Sequence, residues 1–175
     1  SNLTKFGIAE LDWIAGGMSR GELTVIGGRP GHGKSTLAVN IIKGLVEGKR
    51  RVLVFNREMT NEEIWRKLII IESKTLSYQN MRRGLYANNT VIEKTDKYMR
   101  GKYAPYLTML DDIRNLNDTM REISKIKPDV IIDDYIQLIS VEGKKDRRFE
   151  IEEILHEYKW ACKQYDISAI LVSQL

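Results

Sequence analysis

The feature that most limits what this 175-residue chain can fold into is an apolar run, a glycine-rich turn and a helix-periodic run in immediate succession. Leu23-Thr24-Val25-Ile26 leads into Gly28-Arg29-Pro30-Gly31-His32-Gly33-Lys34-Ser35, and Thr36-Leu37-Ala38-Val39-Asn40-Ile41-Ile42 follows with apolar residues at helical spacing. The turn satisfies GxxxxGK(S/T) at every position. Its glycines let consecutive backbone N–H groups converge on one point, and the helix N-terminus adds the positive end of its dipole there. Such a P-loop cradles phosphates. Gly28, Arg29, Pro30, Gly31, His32 and Gly33 form the cradle, with Thr36 in the first helical turn. Lys34 neutralises β/γ oxygens and the Ser35 hydroxyl ligates Mg²⁺. The expected ligand is ATP or another NTP with Mg²⁺. His32 holds a variable place in the loop, where a structural or solvated role is the plainer expectation than phosphate contact.

The composition, 42% apolar and 30% charged, is that of an ordinary globular domain, and the length suits one α/β unit with its own core. No apolar run approaches the roughly 18 residues that span a bilayer, and Ser1-Asn2-Leu3-Thr4-Lys5 precedes no signal-peptide hydrophobic region. A cytoplasmic protein with no membrane partner is expected. The single cysteine, Cys162, has no disulfide partner and falls on the apolar side of a helix-like segment, so buried packing is expected of it rather than nucleophilic chemistry. His156 has no Cys or His at ligand spacing, and no protein-only metal site is expected. A formal charge of +4 is compatible with a polyanionic partner without establishing one. The basic patches Lys49-Arg50-Arg51, Arg82-Arg83 and Lys144-Lys145-Asp146-Arg147-Arg148 suit solvated turns as well as nucleic-acid contacts.

Along the chain, the helix after the P-loop closes at Gly48, and Val52-Leu53-Val54-Phe55 reads as a buried strand, completing a βαβ unit. A helix follows over Glu62-Glu63-Ile64-Trp65-Arg66-Lys67-Leu68-Ile69-Ile70-Ile71, capped by Thr60 or Asn61. From Ser73 to Pro105 the pattern is not periodic enough to read. Leu110, Ile113, Leu116, Met120 and Ile123 recur at helical spacing and predict a helix ending near Lys127-Pro128. Val130-Ile131-Ile132-Asp133-Asp134 is a strand running into paired acids. A helix with Ile151, Ile154, Leu155, Tyr158 and Cys162 on one side comes next, then the strand Ile170-Leu171-Val172-Ser173 ending at Gln174-Leu175. This alternation predicts a mostly parallel sheet flanked by helices, with ligands bound at the carboxyl ends of its strands.

Phosphoryl transfer to water needs phosphate neutralisation, a placed metal, a group that orients the water, and a cation for the developing charge. Besides Lys34 and Ser35, the acids closing Ile131-Ile132 stand where a metal-directed carboxylate belongs. Glu58 lies just past the strand ending at Phe55, beside the P-loop, where it can polarise the attacking water; a solvated surface role is its plain alternative. Gln174 ends a strand and can report the γ-phosphate to neighbouring loops.

These residues resemble the RecA-like motor domain of hexameric replicative DNA helicases of the DnaB type, found in bacteria and their phages. The resemblance runs from Thr4 to Leu175. It includes Phe6-Gly7, Leu11-Asp12, Gly16-Gly17-Met18, Gly21-Glu22-Leu23 and Gly28-Arg29-Pro30. Phe55-Asn56-Arg57-Glu58-Met59 looks like the family's Phe-Ser-Leu-Glu-Met, which implies Glu58 as the catalytic glutamate. Asp134-Tyr135-Ile136-Gln137-Leu138 looks like its Asp-Tyr-Leu-Gln-Leu, so Asp134 rather than Asp133 matches the metal-directed aspartate. The closing segment is similar to the one holding the family's γ-phosphate-sensing Gln174 equivalent. Arg57 stands in place of an apolar residue, Asn56 in place of Ser, and Asp133 where the family usually has an apolar residue, so altered electrostatics around Glu58 and Asp134 are expected.

The resemblance implies a P-loop NTPase that, in a hexameric ring of identical subunits, couples hydrolysis to 5′-to-3′ movement on single-stranded DNA during DNA replication, in a bacterial cell or a phage-infected host. It further implies a partial motor domain over residues 1–175. The segment with most DNA-contacting loop residues and the trans-acting arginine and lysine is expected beyond Leu175, and a primase-contacting domain and any surface for a helicase loader lie in regions missing here. An exposed sheet edge or missing cover, with marginal stability or self-association, is then expected. Two other readings stand beside it. One is a RecA-like recombinase or clock-type ATPase, which the Phe-x-x-Glu-Met and Asp-Tyr-x-Gln-Leu pair disfavours; the other is a non-hydrolysing, nucleotide-dependent binding or assembly module.

Overall fold

Alternation along the buried strands sorts their side chains onto two faces, each of which needs its own cover of helices. In the computed structural model, which describes residues 3–31, 33–73, 89–143 and 146–175, the strands are β1 (Leu23–Gly28), β2 (Val52–Asn56), β3 (Leu107–Leu110), β4 (Val130–Asp134) and β5 (Ser168–Gln174). They form one sheet in the order β1-β5-β4-β2-β3, and every pairing is parallel. The helices are α1 (Ala9–Ala15), α2 (Lys34–Glu47), α3 (Asn61–Ser73), α4 (Asn89–Tyr103), α5 (Leu116–Ile126) and α6 (Arg147–Tyr165), with a 3-10 turn at Ile136–Leu138. None of these helices is long and apolar enough to cross a membrane.

One face of the sheet presents Val52, Val54, Val130, Ile132 and Ile170 to Ile42 and Leu45 of α2, Ile64 and Leu68 of α3, and Met99 and Tyr103 of α4. The other presents Leu53, Phe55, Ile131, Ala169 and Leu171 to Leu116 and Ile123 of α5 and to Ile154, Tyr158 and Cys162 of α6. Each fully buried aliphatic side chain contributes about 1.5–3 kcal/mol. Cys162 is wholly buried, and burial pushes its thiol up to about 12, which fits the packing role expected of it. His156 is exposed on α6 beside Glu157.

The expected helix from Leu110 to Ile123 is corrected by the structure. Leu110 belongs to β3, whose backbone pairs with β2 in the register Val52↔Leu107 to Phe55↔Leu110. Ile113 lies in the following loop, and α5 begins only at Leu116, after the Asn115 side chain caps it by accepting from the Asp118 N–H at 2.8 Å. The helical spacing of Leu110 and Ile113 is coincidental, because a four-residue strand is too short to display its own period. Helices α1 and α4 had no counterpart in the pattern. At the start of α3 the choice falls to Thr60: its Oγ1 accepts from the Glu63 N–H at 3.2 Å while the Glu63 carboxylate accepts from the Thr60 N–H at 2.8 Å.

The N-terminal segment is seated on α2 by a contact only glycines allow. Asp12 accepts from the N–H groups of Phe6 and Gly7 at 2.6 and 3.0 Å, and Phe6 is buried. A Cβ on Gly44 would lie 2.6 Å from both the Gly7 Cα and the Phe6 carbonyl oxygen. Gly44→Ala is therefore expected to cost about 1–3 kcal/mol by overpacking. A melting temperature equal to the parent's would show that this segment is not held against α2.

Candidate nucleotide-binding site

A parallel sheet gathers its strand carboxyl ends on one rim, and the residues singled out from the sequence lie along it in strand order. Gly28 ends β1, Gln174 ends β5 opposite it, Asp134 ends β4, and Glu58 sits just past β2, whose Asn56 is in register with Asp134. The β4–β5 ladder joins two of the three inner strands through Asp133↔Leu171.

The loop between Gly28 and Lys34 is open to a ligand. Gly31 and Gly33 take φ of +78° and +79°, and among the described residues no atom beyond their chain neighbours lies within 4 Å of where either Cβ would stand. Both positions therefore favour glycine for backbone reasons rather than for crowding. Gly33 caps α2 with no side-chain hydrogen bond, and no acid occupies the first turn, so the helix presents its N–H groups and dipole uncompensated. Arg29, Pro30, Gly31, Gly33 and Thr36 are exposed, and Lys34 and Ser35 are half-buried. The Lys34 ammonium donates to the Gly28 carbonyl oxygen, which also accepts from the Leu175 N–H at 3.1 Å. His32 lies outside the described residues, as do Arg82, Arg83, Lys144 and Lys145.

Asp134 is half-buried, and its carboxyl is pushed up to about 6, first by burial and then by the negative charges of Glu58 and Asp133; Lys34 and Lys67 pull it the other way. These couplings place Glu58, Asp134, Lys34 and Lys67 in one electrostatic neighbourhood. Ser35 and Asp134 offer hard oxygen donors, and a carboxylate crowded by another acid is the sort of group a divalent cation stabilises, so the residues fit Mg²⁺. Among the described residues, no group of three or more His, Cys, Asp and Glu side chains stands ready to cage a metal unaided.

Asp133 points the other way. Sharing the face of Ile131, it is fully buried against α5 and α6. The Arg57 guanidinium grips it with two bonds, Nε to Oδ1 at 3.0 Å and Nη2 to Oδ2 at 2.8 Å, and the Tyr158 hydroxyl donates to the same carboxylate. Arg57 also donates to the Ile113 carbonyl oxygen at 2.9 Å and to Thr119 Oγ1 at 3.0 Å, and stacks over the Phe55 ring at 4.6 Å. Burial alone would depress the guanidinium, and Asp133 together with Tyr158 more than reverses this, leaving Arg57 raised. The Tyr158 hydroxyl is pushed well up by burial and by the Asp133 charge. The departures at positions 57 and 133 are thus the two halves of one ion pair. Asn56, the third departure, is buried on the opposite face and donates to Asn61 Oδ1 at 2.9 Å.

Three participants escaped the sequence reading in the roles they hold. Gln137 brackets the end of β5, donating to Ser173 Oγ at 2.7 Å and to the Gln174 carbonyl oxygen at 2.9 Å while accepting from the Gln174 N–H at 3.1 Å. It stood inside the Asp-Tyr-Ile-Gln-Leu motif, but nothing local named its partner. Lys67 of α3 and the buried Arg57 carried no spacing signal. Of the basic patches, Arg51 is spent at the far end of the sheet, where its N–H and guanidinium bind Asp129 and the Lys127 carbonyl oxygen.

Residues 4–175 match a sequence model of the DnaB-like helicase C terminal domain. The chain is 27% identical to replicative DNA helicase DnaB of Mycoplasma pneumoniae over 98% of its own length and 39% of that protein's. It is 30% identical to the protein of the same name from Leifsonia xyli subsp. xyli over 97% of this chain and 38% of the relative. It therefore spans about two fifths of the length of these relatives. Among solved structures, an ATPase domain superposes with a TM-score of 0.85 at 23% identity, covering 99% of this chain and 65% of the other. A DnaB-like replicative helicase, described with its interactions with primase, superposes with a TM-score of 0.83 at 22% identity, covering 100% of this chain and 44% of the other. At these identities the likeness is one of fold, the parallel five-stranded sheet flanked by helices. The chain belongs to the DnaB-like helicase C-terminal domain family.

Proposed function

We propose that this chain is the nucleotide-hydrolysing core of a replicative DNA helicase motor, and that the rim at the carboxyl ends of β1, β5, β4 and β2 is its active site. The observation that carries the reading is the convergence on one rim of the phosphate loop and Lys34 after β1, Asp134 at the end of β4 and Glu58 just past β2. Gly28, Arg29, Pro30, Gly31, His32 and Gly33 cradle the phosphates of ATP or another NTP, with Thr36 in the first turn, and Lys34 neutralises the β/γ oxygens. Ser35 and Asp134 would hold Mg²⁺, which when bound would neutralise charge on the phosphates. Glu58 orients and deprotonates the attacking water. Gln174, tied through Gln137 to the turn after β4, relays the state of the γ-phosphate.

Hydrolysis on this rim would be coupled to 5′-to-3′ movement on single-stranded DNA within a hexamer of identical subunits. A positive charge for the transition state would come from a neighbouring subunit, and primase and a helicase loader would be partners of the assembly. Cytoplasmic location follows from the same reading. A non-hydrolysing assembly module is the second reading, and the retention of Glu58 beside Asp134 speaks against it.

Calorimetric titration with Mg-ATP tests the phosphate site. Lys34→Ala is expected to weaken binding by about 10- to 100-fold, the worth of a charge-assisted contact of roughly 1.5–3 kcal/mol. Equal affinity would remove the P-loop assignment.

A further inference from the structure

We infer that Arg57 and Asp133 form a positioning pair which, from the sheet face turned away from the phosphate loop, sets where Glu58 and Asp134 stand relative to each other. The inference rests on the proposed role of Asp134 as the metal-directed carboxylate. Arg57 immediately precedes Glu58 and Asp133 immediately precedes Asp134, so fixing one pair of side chains fixes the backbone that bears the other. The β2–β4 ladder itself ends at Asn56 and Asp134. Beyond it the strands are held by the Arg57 N–H donating to the Asp134 carbonyl oxygen at 2.9 Å and by the ion pair.

The pair reaches further than two strands. Through Ile113 the guanidinium holds the loop after β3, and through Thr119, which in turn donates to the Asn115 carbonyl oxygen at 2.8 Å, it holds the start of α5. Tyr158 brings in α6. A planar fork that donates to a carboxylate through two nitrogens fixes direction as well as distance, which neither an ammonium nor an apolar contact does. Both side chains are essentially unexposed, 1% for Arg57 and 0% for Asp133, so water does not loosen the geometry. Where the family resemblance expects an apolar residue at each place, this chain has a directional link behind its two functional carboxylates.

The test uses the whole chain and a non-hydrolysable ATP analogue, adenylyl imidodiphosphate. Its dissociation constant is measured by calorimetry in MgCl₂ and in EDTA, beside thermal melting. The double variant Arg57→Leu/Asp133→Leu removes the link without stranding a charge and is expected to melt near the parent temperature. Its affinity in EDTA should match the parent's, while the tightening produced by Mg²⁺ should fall about fivefold, because small displacements of a metal-directed group are costly. Full Mg²⁺ tightening in the folded double variant would overturn the proposal and leave the pair a purely structural one. If the double variant does not fold, Arg57→Lys, which keeps the charge and loses the fork, is read the same way: a reduced Mg²⁺ effect supports positioning and an undiminished one overturns it. Failure of the underlying reading looks different, since the parent itself would then show no Mg²⁺ tightening or would bind no better than Lys34→Ala.

Discussion

Glu58→Gln is expected to lower NTP turnover by about 10²- to 10⁴-fold in any assembly of this chain competent for hydrolysis, the span that a positioned general base contributes. Glutamine keeps the size of the side chain and its ability to hydrogen-bond a water, but it cannot accept the proton. Affinity for Mg-ATP should stay within about threefold, because uniform binding rests on the loop and Lys34 rather than on Glu58. Losing the Glu58 charge also relieves Asp134, whose carboxyl that charge helps to push up, so the carboxylate of Asp134 should form at lower pH in the variant. The measurement is phosphate release over a series of protein concentrations, with and without single-stranded DNA, with Lys34→Ala as background. Undiminished turnover would assign the base to another residue.

What the sequence revealed of this site follows from where its chemistry sits. The phosphate loop, Asp134, Glu58 and Gln174 all lie at strand ends, where an apolar run gives way to a polar or glycine residue, and that change can be read locally. The central strands were legible for the same reason: buried on both faces, Val52–Asn56 and Val130–Asp134 are nearly continuous apolar runs. Strand β3 was not legible, because its four residues are defined by pairing with β2 and not by their own pattern. Helix α1 escaped because none of its residues is buried and it has no apolar stripe to show. Helix α4 buries Met99 and Tyr103, too few apolar positions to establish a period among its charged residues. The Arg57–Asp133 pair is the sharpest case. Its members are 76 residues apart, and each taken alone was only an odd residue beside a functional one. The ladder that sets Phe55 against Asp133 makes them a unit, and pairing between strands is the property a single sequence records least.

That burial also sets the largest expected effect on stability. Asp133→Ala removes the only carboxylate that, among the described residues, pairs with the Arg57 guanidinium and leaves it enclosed between Phe55, Thr119 and the Ile113 carbonyl oxygen, with the Tyr158 hydroxyl deprived of its acceptor. Breaking a buried pair by deleting one partner costs about 3–5 kcal/mol, mostly the penalty of an uncompensated charge. Against a total of roughly 5–15 kcal/mol for a domain, this is a large fraction. For a domain of this size each kcal/mol moves the melting temperature by about 2–4 °C, so a fall of about 10 °C is expected by calorimetry or circular dichroism. The double replacement Arg57→Leu/Asp133→Leu should recover most of that loss, because two apolar side chains carry no desolvation penalty and the core on that face of the sheet, with Leu116, Ile123 and Ile154, is already apolar. The two results together separate the cost of an orphaned charge from the worth of the pair. A single variant that melts within about 2 °C of the parent, less than one kcal/mol, would mean that water reaches Arg57 and that the enclosure described for it is wrong.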